Sequence, residues 1–238
     1  MRQGEFLYEG KAKKIYATDN PSLVWIAYKD DATAFDGTKK GTIANKGIVN
    51  NRVSNMLFKY LETRGIETHL VEQIDERNTI VKKLRILPIE VVVRNVIAGS
   101  LANRVGLPEG TELSQTVLEL YYKNDDLHDP MINEYHARAL GWADEQELGE
   151  IKRQALKVNE ILREFFDHIG IILVDFKLEF GEYDGRIILG DEISPDTCRL
   201  WDKVSLEKLD KDRFRRDMGK EAEAYQEVVG RIEKVLQY

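Results

Sequence analysis

The chain has 238 residues, of which 42% are apolar and 32% charged, with a formal net charge of −7. That balance belongs to an ordinary globular protein and excludes a disordered one, and no apolar run reaches the roughly eighteen residues that cross a membrane. The acidic surplus argues against non-specific nucleic-acid or membrane binding, while a single cysteine, Cys198, rules out an intrachain disulfide and fits a reducing cytoplasm.

Met1 to Glu5 carries no apolar stretch of the kind a secretory signal needs. Strand-like segments follow at Phe6 to Tyr8, Lys14 to Ala17, Leu23 to Tyr28 and Asn78 to Leu84. One helix interrupts them, with Val49, Val53, Leu57 and Tyr60 at helical spacing and Gly65 placed to end it. Pro88 opens a different texture, and Ile89 to Val93 is β-branched. The clearest helix keeps Leu148, Ile151, Ala155, Val158, Leu162, Phe165 and Ile169 on one face, and Gly170 stops it. Ile171 to Phe180 and Ile187 to Leu189 are strands around an Asp184-Gly185 turn. Leu206 to Tyr238 reads as helical with a break near Gly219. Early strands and a later mixture predict an α+β protein of two lobes, residues 1–85 and 86–238.

Chemistry concentrates in a few segments. In Ile171 to Phe180, alternation puts Val174, Phe176, Leu178 and Phe180 on an apolar face and Asp175, Lys177 and Glu179 on the other. A solvated outer face gives the same alternation. The following Asp191-Glu192 adds two carboxylates. A two-residue turn pairs Glu179 with Gly190 and puts Glu192 on the polar face, whereas a three-residue loop pairs it with Leu189 and puts Asp191 there. The three-residue loop is the expectation here, with Glu179 and Asp191 jointly binding Mg²⁺. Arg199, beyond the Ser194-Pro195-Asp196 turn, is placed either to clamp an anion or to pair with Asp196 or Asp202. Near the N-terminus, Gly10 permits close backbone approach, and Lys11 and Lys13 share a face suited to nucleotide phosphates, although short lysine-rich turns are common on surfaces. Glu90 and Arg94 lie on one face of an apolar strand and need a partner or a ligand. Ser100 either caps a short helix or stands where an anion meets it. The polar stretch Lys123 to Pro130 is a solvated loop or the rim of a site.

Taken in order, Glu9 to Lys13, Ile86 to Asn95, Ala98 to Ser100, Leu173 to Gly181 and Gly190 to Asp202 closely resemble the SAICAR synthetase family of purine biosynthesis. The resemblance spans essentially the whole chain. It implies an ATP-dependent ligase that joins L-aspartate to the carboxylate of the imidazole nucleotide CAIR, with Mg²⁺, in a cytoplasmic homodimer. It implies a first lobe similar to the ATP-binding lobes of kinases and ATP-grasp enzymes. For individual residues it implies ATP contacts at Gly10, Lys11, Ala12, Lys13, Lys82, Leu84 and Lys123. Substrate contacts fall at Asp36, Glu90, Arg94, Ser100 and Arg199, and Asp129, Asp175 and Lys177 line the reacting centre. One departure is Phe35, where many members carry glycine before the Asp36-Gly37 pair.

Overall fold

The computed structural model describes residues 1–34 and 38–236. A first antiparallel sheet of five strands contains β1 (Gln3–Glu9), β2 (Lys13–Thr18) and β3 (Leu23–Tyr28). A small hairpin, β4 (Asp31–Ala34) and β5 (Lys39–Thr42), and helix α1 (Lys46–Thr63) follow. Then β6 (Leu70–Gln73) and β7 (Asn78–Lys82) complete the sheet in the order β1-β2-β3-β7-β6. The chain next enters a six-stranded sheet with β8 (Arg85–Val96). Helix α2 (Gly99–Val105), β9 (Glu112–Tyr122), β10 (Met131–Ile132), α3 (Glu134–Ala139) and α4 (Glu145–His168) lead to β11 (Ile171–Tyr183), β12 (Arg186–Gly190) and β13 (Cys198–Asp202). This sheet runs β10-β9-β8-β11-β12, and β13 pairs with the first half of β11. Helices α5 (Asp212–Arg215) and α6 (Glu221–Leu236) close the chain. The mixed α and β architecture agrees with the α+β expectation.

Helix α4 forms where a capping box at Asp144 and Glu147 satisfies its first amides, and it ends at Gly170, whose φ of 72° lies in the left-handed region. Its buried stripe of Leu148, Ile151, Ala155, Val158, Leu162 and Phe165 packs on β11. The main core runs on through Val53 and Leu57 of α1, Val91 and Val93 of β8, and Val228 and Ile232 of α6. The first sheet holds only small separate clusters, such as Ile15, Ile26, Tyr28 and Val81.

Several sequence expectations change. Residues 206–211 are not helical, and the helices there are α5 and α6. Strand β9 is eleven residues long and alternates weakly, so no apolar pattern announces it. Pro88 lies inside β8 rather than before it. It is tolerated there because pairing with β11 slips between Glu179 and Gly181, beside the proline, which spares an amide from the ladder. Val174 does not share the face of Phe176. An extra residue between the Leu173–Leu200 and Asp175–Arg199 pairs bulges β11, so Leu173 faces the main core and Val174 joins Val96, Ala98 and Trp201.

The hairpin register is also corrected. Tyr183 pairs with Arg186 and Glu179 with Gly190, so the turn has two residues. Asp184 and Gly185, with φ of 50° and 74°, both take the left-handed conformation that a two-residue turn of this twist requires. Where the sheets meet, Leu84 lies against two glycines. A Cβ added at Gly181 would stand 2.7 Å from the Leu84 Cβ, and one at Gly190 would stand 2.9 Å from its Cδ1.

Leu162→Ala, at a fully buried position of α4, is expected to cost about 2–5 kcal/mol, read from the shift of the urea unfolding midpoint at unchanged slope.

Candidate active site

A cleft of about 480 Å³ opens between the two sheets, lined by the β1–β2 connection, the polar faces of β8 and β11, and the segment after β12. Into it come Gly10, Lys11, Ala12, Lys13, Glu90, Arg94, Lys123, Asp129, Asp175, Lys177, Glu179, Asp191 and Arg199. Lys82 and Leu84 line a smaller neighbouring cavity of about 240 Å³, more apolar, which shares Lys13, Lys123, Glu179 and Asp191 with the cleft. Ser100 is exposed and does not line the cleft. It does not cap α2, because Ala98 is the cap residue and no side chain takes that role. Its hydroxyl instead accepts a hydrogen bond from Arg94 at 3.1 Å. Asp36 lies outside the described residues.

Two charged groups organise this space. In the first, Lys177 Nζ donates to Glu179 Oε1 at 2.6 Å and to Glu90 Oε1 at 2.8 Å, with Asp191 Oδ2 at 3.7 Å. The other oxygen of Glu179 accepts from Lys123. Lys13 Nζ lies 2.6 Å from Asp191 Oδ1 and 2.9 Å from Glu192 Oε1, above the Tyr28 ring. Burial opposes the charged forms of Lys177 and Lys13, but the carboxylates around them outweigh it and hold both ammonium groups well above the usual lysine range. Burial likewise opposes ionisation of Asp191, and Lys13, Lys177 and Lys123 reverse that, drawing its carboxyl below the usual range.

Asp191 reaches the cleft by a route that strand alternation does not offer. Glu192 lines the cleft and faces Lys13, the side on which the two-residue register puts it. Strand β12 ends at Gly190, and Asp191 then takes a left-handed φ of 55°, which turns its carboxylate toward the same lysines. Both acids therefore face Lys13. The His69 ring lies alongside, 3.7 Å from the position of a Cβ on Gly190, and burial pushes its imidazole down to about 3.

The second group is built on two guanidinium groups. Asp175 is 3% exposed, and its oxygens accept from Arg94 at 2.8 Å and from Arg199 at 2.9 and 3.0 Å. Glu119 holds the other side of Arg94, and Asp212 holds the Nε of Arg199. Arg199 thus pairs with neither Asp196 nor Asp202, the partners nearest in sequence. β13 carries it away from both and across to β11, opposite Asp175. Lys123 to Pro130 is a rim: Lys11 reaches Asp125 at 2.8 Å across the mouth, and Asp129 accepts from the Asn124 amide.

Among the described residues no group of three or more His, Cys, Asp or Glu side chains is arranged to hold a metal unaided. The carboxylates of Glu179 and Asp191 nevertheless converge on one ammonium. Such a pair fits Mg²⁺, which takes one or two carboxylates and completes its shell with phosphate oxygens and water. Glu192, Lys211 and Arg215 line the cleft too, and buried Lys46 bonds Asp196 at 2.7 Å. Only Glu192 was legible, as the alternative to Asp191.

A mixed α and β fold with a cleft of interleaved lysines and carboxylates, flanked by an apolar cavity, defines an enzyme that works on nucleotide phosphates. Residues 6–232 match the family model for SAICAR synthetase, and the chain belongs to that family. The chain is 60% identical to a phosphoribosylaminoimidazole-succinocarboxamide synthase of Desulfitobacterium hafniense over 99% of both chains. It is similar to the crystal structure of the same enzyme from Ehrlichia chaffeensis (TM-score 0.94, 47% identity, 96% and 98% of the two chains covered). It is also similar to a SAICAR synthetase in complex with ADP (TM-score 0.93, 55% identity, 96% and 97% covered).

Behind Arg199, the buried Asp210 accepts from the Leu200 and Asp212 amides at 2.7 Å. Burial and the Asp212 carboxylate push its carboxyl up to about 7 from 3.8. Between those values the folded chain keeps a proton that the unfolded chain has lost, so stability falls as pH rises through that window. Asp210→Asn is expected to flatten this fall, read from urea midpoints across the same pH range.

Proposed function

We propose that the chain is an ATP-dependent carbon–nitrogen ligase that joins L-aspartate to the carboxylate of CAIR, giving SAICAR, ADP and phosphate in purine biosynthesis. Family membership supports the reaction, and the observation that carries the site is the convergence of Glu90, Glu179 and Asp191 on Lys177 beside the Lys13 loop.

A carboxylate is a poor acyl donor, so the nucleophilic CAIR oxygen first takes the γ-phosphoryl group of ATP and ADP leaves. The aspartate amine then attacks the acyl carbon, the C–O bond to phosphate breaks, and the amine loses a proton. Several anions must be brought together in this sequence, and the chain meets that demand by placing fixed cations among them. In this reading Gly10 to Lys13 cover the ATP phosphates with Lys123 opposite, and the Lys82 and Leu84 cavity takes adenine. Glu179 and Asp191 hold Mg²⁺, which when bound neutralises phosphate charge. Arg94, Ser100 and Arg199 meet the phosphate and ribose side of CAIR, with Asp175 fixing both guanidinium planes. Lys177 faces the carboxylate being activated, Glu90 meets substrate beside it, and Asp129 borders the reacting centre.

The same proposal takes residues 1–85 as an ATP-binding lobe like those of kinases and ATP-grasp enzymes, and 86–238 as the substrate and metal lobe. It includes a cytoplasmic homodimer, which sedimentation velocity would read.

ADP release that requires both CAIR and L-aspartate is the expected result, and ADP release with CAIR alone would instead indicate a kinase. Lys177→Ala and Asp191→Asn are each expected to fold and to lower turnover at least ~100-fold, the scale for losing a preorganised charge contact. Retained turnover in either variant would remove that residue from its role.

A further inference from the structure

Glu192 is 4% exposed, and one of its oxygens, Oε2, is buried without a hydrogen-bond partner among the described residues. Its other oxygen lies 2.9 Å from Lys13 Nζ, whose side chain is 11% exposed. Lys13 therefore has two carboxylates, Asp191 and Glu192, where one would neutralise it. Lys177 shows the same surplus, with Glu90 at 2.8 Å besides Glu179 and Asp191, and its side chain is 27% exposed. Among the described residues Lys123 forms an ion pair with Glu179 alone, and its side chain is 43% exposed. Of these three lysines, the two that water solvates least carry more than one carboxylate partner.

A reason follows from the metal reading proposed above, on which this inference rests. When a cation engages Glu179 and Asp191, those carboxylates must loosen their hold on the lysines. An ammonium left unpaired in a buried site is strongly destabilised. It would therefore compete with the cation for the same carboxylate. We infer that Glu192 is a positioning residue, a reserve counter-ion that retains Lys13 and so releases Asp191 to the metal. Glu90 stands in the same relation to Lys177.

The test measures ADP binding by calorimetry across a range of Mg²⁺ and in EDTA, without turnover, in the wild type, Lys13→Gln, Glu192→Gln and the double variant. Glu192→Gln is expected to weaken apparent Mg²⁺ affinity in the ADP complex about tenfold, the scale for groups that orient metal ligands. ADP affinity in EDTA should stay within about twofold, because Asp191 still pairs with Lys13 there. In the Lys13→Gln background the second substitution should have no effect, since there is no ammonium left to retain. An equal loss in both backgrounds would reduce Glu192 to a distant negative charge and overturn the inference, as would no loss in either. Glu192→Asp, which keeps the charge, should recover Mg²⁺ affinity to within about threefold. A Glu192→Asp protein as weak as Glu192→Gln would assign the defect to packing and overturn the inference. Should Glu192→Gln fail to fold, folding of the double variant supports the pairing and its failure overturns it. Asp191→Asn separates the two readings: Mg²⁺ dependence unchanged in that variant rejects the metal site itself.

Discussion

Lys177 holds an ammonium group at the centre of a site whose other charges are arranged around it. Three carboxylates from three strands or strand ends reach it: Glu90 from β8, Glu179 from β11 and Asp191 from beyond β12. Buried charge is costly unless it is paired and hydrogen-bonded, so each of these groups fixes the others. Take away the cation and the carboxylates repel. Take away a carboxylate and the cation is left with less of the countercharge that keeps it protonated. The proposed chemistry uses this mutual dependence, because anionic substrates entering the cleft find cations already oriented and held charged.

Strand β11 makes the arrangement possible. Its first half pairs with β13 and its second with β12, while β8 runs along its opposite edge. Groups from four chain segments thereby converge along one polar face. The bulge at Val174 changes which residues the core receives without disturbing Asp175, Lys177 and Glu179, which remain together on the cleft side. The same strand brings Arg94 and Arg199 to Asp175 from its two edges, 2.8 and 2.9 Å away. The guanidinium pair and the lysine cluster are thus anchored by alternate residues of one element, Asp175 for the first and Lys177 and Glu179 for the second.

Much of this was legible in local pattern. The 3.6-residue stripe of α4 and its terminal glycine predicted the helix because burial and periodicity coincide there. The alternation in Asp175, Lys177 and Glu179 predicted a charged strand face for the same reason. What stayed hidden depends on pairing rather than on order along the chain. The Val174 bulge is a property of two strands, and nothing in the residues of β11 alone demands it. Asp191 was expected in the cleft through a register the structure does not have. It arrives through a left-handed backbone turn, which a non-glycine residue rarely adopts and no alternation rule anticipates. Asp212 and Glu119 carry no local signal because their partners, Arg199 and Arg94, lie 13 and 25 residues away.

The contact of Leu84 with Gly181 and Gly190 has a mechanical consequence. Its side chain sits where the first sheet hands over to the second, pressed against backbone with no space for even one added carbon. Beside it the His69 amide donates to the Leu189 carbonyl and the Leu189 amide to the Glu67 carbonyl, so the rim of the first sheet is also stitched to the β11–β12 hairpin. A side chain at Gly181 or Gly190 would have to displace Leu84, and with it the segment that joins the two sheets, so these glycines set how closely the first sheet seats against the hairpin.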